Sequence, residues 1–99
     1  MGILDNLVHK AKVGRKDDVD YLIYHLTKNS TVALTRFVDY ALGLVENPDG
    51  IKRIEHYLFN GSQIQRNYSC LYFNRKHEWE IVKQAYTQGL IDEIQAYSR

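Results

Sequence analysis

Cysteine, proline, methionine and tryptophan each occur once in these 99 residues. The lone cysteine, Cys70, excludes an internal disulfide and fits a reducing, cytoplasmic setting. One proline leaves few points at which a helix must break. Neither sign of charge dominates: 13 Lys and Arg against 12 Asp and Glu give a net charge of +1. That balance excludes bulk attraction to nucleic acid or membranes, so either would need a local patch. No apolar run approaches the ~18 residues needed to cross a bilayer. The opening stretch, MGILDNLVHKAK, places its charges after its apolar residues, the reverse of a signal peptide. Asn6 stands where a myristoylation pattern needs Ser or Thr. A Gly-rich phosphate loop is also missing; Gly43, Gly50, Gly61 and Gly89 each begin or end a helix.

What is there is helical patterning. The length suits one domain, and a chain of this size buries roughly two-thirds of its unfolded surface. Ile3, Leu4, Leu7, Val8 and Ala11 form a first apolar stripe that stops near Gly14. Asp17 and Asp18 open a second helix, with Val19, Leu22, Ile23 and Leu26 as its buried face. Ser30 or Thr31 caps a third helix, in which Leu34, Phe37, Val38, Ala41, Leu42 and Val45 recur at spacings of three and four. Asn47 caps a fourth helix with Pro48 at its first position, where the missing N–H costs nothing. Its apolar positions are Ile51, Ile54 and Leu58.

Ser62 and Gln65 form a capping-box pair for a fifth helix, whose apolar face reads as Ile64, Tyr68, Leu71 and Tyr72 with Cys70 and Phe73 flanking. A sixth helix is expected from about His77, through Trp79, Val82, Ala85 and Tyr86, to a stop at Gly89. Asp92 and Gln95 pattern a last short one. The Asn-x-Ser/Thr triplets at Asn29, Asn60 and Asn67 read as turn and cap chemistry.

Sliding the chain by 32 residues sets Val19 on Ile51, Leu22 on Ile54, Leu26 on Leu58, Ser30 on Ser62, Val32 on Ile64 and Tyr40 on Tyr72. A weaker third copy sets Leu58 on Leu90 and Ile54 on Tyr86. Periods of this size belong to stacked helix pairs, each supplying a wall that the next pair lacks. Ala41-Leu42-Gly43 with Val45, then Asn47-Pro48, and Ile64-Gln65-Arg66-Asn67 in the next copy, carry a resemblance over residues 17 to 98. The segment resembles a short HEAT-like repeat of the phycobilin-lyase type. Tyr and Phe replace many of that family's alanines, and the second copy lacks Ala-Leu-Gly.

The resemblance implies an all-α, solenoid-like stack of antiparallel helix pairs: a capping helix over 1–14, repeats over 17–47 and 48–76, and a degenerate third over 77–98. It implies a protein-binding role, since most HEAT-like proteins bind proteins, while a few, alkylpurine DNA glycosylases and bilin-lyase subunits among them, act on nucleic acid or a chromophore. It also places the second helix of each pair on a concave face, which marks Arg66 and Asn67.

Candidate chemistry is thin. His9, His25, His56 and His77 fall on separate elements without metal-ligand spacing. Asp17, Asp18, Asp20 and Asp39 are close in sequence, but acids at helix starts are ordinary capping. Cys70, set among Leu71, Tyr72 and Phe73, reads as a buried, inert thiol. Eight tyrosines are too many for the core alone and suit a contact surface. The fifth helix is the richest polar stretch, running Gln63, Gln65, Arg66, Asn67, Asn74, Arg75 and Lys76; Arg66 either faces a ligand or pairs with an acid such as Asp39.

The expectation is a non-enzymatic binding module with no cofactor and no metal. It docks a protein partner through Arg66, Asn67, Arg75, Trp79 and Tyr97, or forms a homodimer through its apolar C-terminal helices. The alternative is a nucleic-acid contact using Lys10, Lys12, Arg15, Lys16 and Lys76 with Arg66 and Arg75.

Overall fold

A computed structural model describes residues 2–98, and among these it contains helices and no strands. Helix accounts for 72% of them, in keeping with capping and periodic signals that are all helical. The order is α1 (Ile3–Val13), α2 (Lys16–Tyr24), α3 (Val32–Leu42), α4 (Pro48–Asn60), α5 (Gln63–Arg75), α6 (Trp79–Thr87) and α7 (Glu93–Ala96).

The starts are set by side chains that satisfy first-turn amides. Thr31 Oγ1 accepts the Leu34 N–H at 3.1 Å and Asn47 Oδ1 accepts the Asp49 N–H at 3.0 Å. Gln65 Oε1 accepts the Ser62 N–H at 2.9 Å, the reciprocal half of the capping box. Each such cap is worth ~1 kcal/mol. At α2 the acid works backwards: Asp18 Oδ2 accepts the N–H of Arg15, the residue before the helix, at 3.0 Å. Helix starts keep the period seen in the sequence. Lys16, Pro48 and Trp79 open α2, α4 and α6 at intervals of 32 and 31; Val32, Gln63 and Glu93 open α3, α5 and α7 at intervals of 31 and 30.

The chain divides between Ile54 and Glu55 into two compact units, with α4 spanning the division. In the first, α1 packs on both α2 and α3, and α2 packs on α3. Leu7 and Ala11 of α1, Val19, Leu22 and Ile23 of α2, and Val38, Ala41 and Leu42 of α3 are buried there. α1 is therefore a wall of this core. The start of α4 meets the end of α1 closely. A Cβ on Gly50 would overlap the Gly14 carbonyl oxygen and stand 2.8 Å from Val45 Cγ1, so only glycine fits. Asp20 of α2 holds Arg53 of α4 through an Oδ1–Nε contact of 2.6 Å, which gives that acid a structural partner.

In the second unit α5 packs on α6 and α7, and α6 packs on α7. Here the structure corrects the expected face of α5. Ser69, Cys70, Tyr72, Phe73 and Asn74 are buried, whereas Ile64, Tyr68 and Leu71 are only half-buried. The helix carries apolar side chains around its whole circumference, so periodicity does not select a side. On α3 the correction is smaller: the buried face takes in Thr35, Val38 and Leu42, and Phe37 lies on its flank.

Candidate interaction site on the C-terminal helices

Three devices place α6 and α7 against α5. The first is the turn after α5. His77 takes a left-handed φ of 63°, the position that glycine usually fills at a helix end. The Glu78 N–H then reaches the Phe73 carbonyl at 2.9 Å and the His77 N–H reaches the Asn74 carbonyl at 3.1 Å. His77 thus closes α5 instead of opening α6, which begins two residues later than the sequence pattern predicts. The end of α6 repeats the motif with Gly89 (φ 75°): the Leu90 N–H bonds to the Ala85 carbonyl at 3.0 Å.

The second device is Arg66. Its guanidinium donates from Nε to the Leu90 carbonyl at 2.7 Å and from Nη1 to the Gly61 carbonyl at 2.9 Å. It ties the link between α6 and α7 to the start of α5. The third is Asn74, 1% exposed. Its Nδ2 approaches the carbonyls of Gln95, Ala96 and Ser98 at 3.2, 3.1 and 2.6 Å. Two N–H hydrogens are shared among these three carbonyls and the Cys70 sulfur at 3.7 Å, so one side chain holds the C-terminal turn. The Cys70 thiol donates to the same Gln95 carbonyl at 3.3 Å. Burial, and secondarily the negative charge of Asp92, raise the Cys70 pKa from 9.0 to about 11. The thiol is neutral at ordinary pH and a poor nucleophile.

Held this way, α6 and α7 border a groove of about 440 Å³ lined by Trp79, Val82, Tyr86, Ala96 and Tyr97, with Glu80, Lys83 and Thr87 at its edge. Its aromatic walls face outwards: Trp79 is 43% exposed, Tyr86 45% and Tyr97 77%. Ile94, one turn before Tyr97 on α7, is 75% exposed. Such clustering of uncovered apolar groups makes this face a candidate contact surface. The His77 ring lies 5.3 Å from the Trp79 ring, tilted by 58°.

The structure brings Trp79 and Tyr97 together in this groove and disperses the other expected site residues. Arg66 is spent on backbone carbonyls. Asn67 borders a separate cleft with Tyr68, Leu71, Gln95 and Ser98. Arg75 is exposed, and Lys76 sits 5.4 Å from the Tyr72 ring centre. In the first unit, Lys12, Arg15 and Lys16 are exposed at the link between α1 and α2, beside Asp17 and Asp18. Lys10 lies 3.9 Å from Asp18 and 5.3 Å from the Tyr21 ring centre, so its charge is already answered. Asn74, which does most to shape the site, reads in sequence as one more polar residue of α5. Its one signal is its position four residues after Cys70, on the face of α5 that is buried.

Among the described residues no group of three or more His, Cys, Asp and Glu could hold a metal ion, and no helix is long and apolar enough to cross a membrane. The chain matches no protein-family model, no curated protein and no solved structure.

Proposed function

We propose that this chain is a small non-enzymatic binding module that docks another protein on the face shared by α6 and α7. The carrying observation is the groove between them, with Trp79, Tyr86 and Tyr97 exposed around it. Large rigid aromatics at a partly desolvated centre are the side chains that contribute most to protein association. The HEAT-like reading belongs to the same proposal: helix starts at a period of 30 to 32 residues support repeated helix pairs.

A photo-crosslinking amino acid at position 97, expressed in the native host, tests the docking face. The expected result is a discrete covalent adduct that is absent when the same probe replaces Tyr24, which is exposed in the other unit. Equal labelling at the two positions would defeat the proposal. The nucleic-acid reading rests on Lys12, Arg15 and Lys16. It requires affinity for duplex or single strands that falls steeply with salt, whereas an aromatic protein interface is far less salt-sensitive.

A further inference from the structure

We infer that the occupant of this groove is a second copy of the same chain, related by a two-fold axis close to Val82. The inference rests on the contact-face reading above and adds the identity of the partner. Two observations carry it.

The first is charge. Glu80 and Lys83 border the groove on α6, and among the described residues neither has an ion-pair or hydrogen-bond partner. A partner bearing one sign of charge would be repelled by one of them. A copy of this helix laid antiparallel across it offers the matching order: Glu80 of each copy meets Lys83 of the other. Trp79 and Tyr86 straddle Val82 as well, about seven residues apart and ~10 Å along the axis. The same two-fold therefore sets each Trp79 against the other copy's Tyr86. Aromatic and charged pairs are satisfied by one operation, which a self-associating face must achieve and a face for an unrelated partner need not.

The second is area. With aromatic side chains presenting ~150–250 Å² each, the uncovered parts of Trp79, Tyr86 and Tyr97 amount to roughly 350 Å². That is roughly two-fifths of the ~800 Å² that each partner buries in a standard interface. Backbone and edge residues supply the remainder.

Sedimentation equilibrium on the full chain, with charge-reversal variants, tests this. Wild type is expected to dimerise in the micromolar range. Glu80→Lys and Lys83→Glu each place like charges opposite one another and should weaken dimerisation about tenfold or more. Mixed one to one, the two variants should recover dimers. The lysine introduced at position 80 then meets the glutamate introduced at position 83, and the native Lys83 of the first variant meets the native Glu80 of the second. Circular dichroism of each variant confirms that these surface changes leave the helices intact, and Trp79→Ala should remove the dimer by a route independent of charge.

A wild-type monomer at high micromolar concentration overturns the inference. In that case Trp79 emission at water-exposed wavelengths leaves the contact-face reading standing, and fully buried emission removes it too. A dimer indifferent to both reversals and to Trp79→Ala overturns the inference by placing the interface elsewhere.

Discussion

Replacing Asn74 by alanine tests whether one buried amide organises the C-terminal third of the chain. The wild-type side chain offers two N–H hydrogens to three carbonyls, those of Gln95, Ala96 and Ser98. A net hydrogen bond is worth ~1 kcal/mol, and a buried acceptor left without a donor costs ~1–3 kcal/mol. Alanine removes two donors and leaves a small void. The carbonyls escape part of the penalty by moving into water, because α7 has only four residues and cannot hold helix alone. Removing the buried Asn74 Oδ1, which has no partner, offsets part of the rest, so the balance is a loss of roughly 1–2 kcal/mol, about 10 °C in Tm for a domain of this size. Thermal unfolding followed by the helical circular dichroism signal measures the global term, and hydrogen exchange across 93–98 measures the local one. Exchange there should rise by at least about tenfold while α2 and α3 are unchanged. A Tm within ~2 °C of wild type, with 93–98 still protected, would refute the clamp.

Gly50→Ala should cost at least ~1–3 kcal/mol, because its Cβ would overlap a backbone oxygen that no rotamer change can move; chemical denaturation reads the loss directly. His77→Gly should stabilise by roughly 0.5–1 kcal/mol, since the left-handed φ of 63° strains a residue with a Cβ and suits glycine; an unchanged or lower denaturation midpoint would contradict this. Cys70 gives a pH dependence. Its folded pKa is raised to about 11 from 9.0, so the unfolded chain loses the thiol proton first and stability falls as pH rises between these values, by up to ~1.4 kcal/mol per unit. Below the unfolded value of 9.0 the effect vanishes. Cys70→Ala should flatten that part of the profile relative to wild type, and the native thiol should react with a disulfide reagent only as fast as the protein opens.

Helix starts are legible because they depend on neighbours in sequence. Thr31, Asn47 and the Ser62–Gln65 pair satisfy amides two or three residues away, and no tertiary contact is needed to place them. Buried faces are legible where one stripe is apolar and the opposite one polar. Val38, Ala41 and Leu42 on α3 are such a case. On α5 the rule fails. Ile64, Tyr68 and Leu71 are as apolar as Cys70 and Phe73, and the choice between the sides is made by where α6 and α7 arrive. The parts of the site that bind backbone are hidden for the same reason. Arg66 reaches Leu90 and Asn74 reaches Ser98, each 24 residues away, and their targets are carbonyls that every residue possesses. No side-chain pattern announces such a partner. His77 misleads because glycine is the usual sign of a left-handed helix stop.

The exposed groove follows from how short α7 is. α3 and α5 run for 11 and 13 residues, whereas α7, opening at the same period, runs for four. A full-length helix there would lie along α6 and cover it. Four residues cover only one end: Ala96 and Tyr97 reach the groove, and Trp79, Tyr86, Glu80 and Lys83 are left along the rest. The short helix is also why a dedicated clamp is needed. Too few apolar contacts hold α7, so Asn74, Arg66 and the Cys70 thiol fix its backbone and the link before it by hydrogen bonds. Loosening the clamp and weakening docking should therefore go together. Asn74→Ala alters no side chain that lines the groove, yet it should lower affinity at this face by displacing Tyr97. Titrating the variant against wild type in the sedimentation assay measures that coupling. Wild-type affinity in a variant whose 93–98 segment has lost its protection would show that α7 takes no part in the contact.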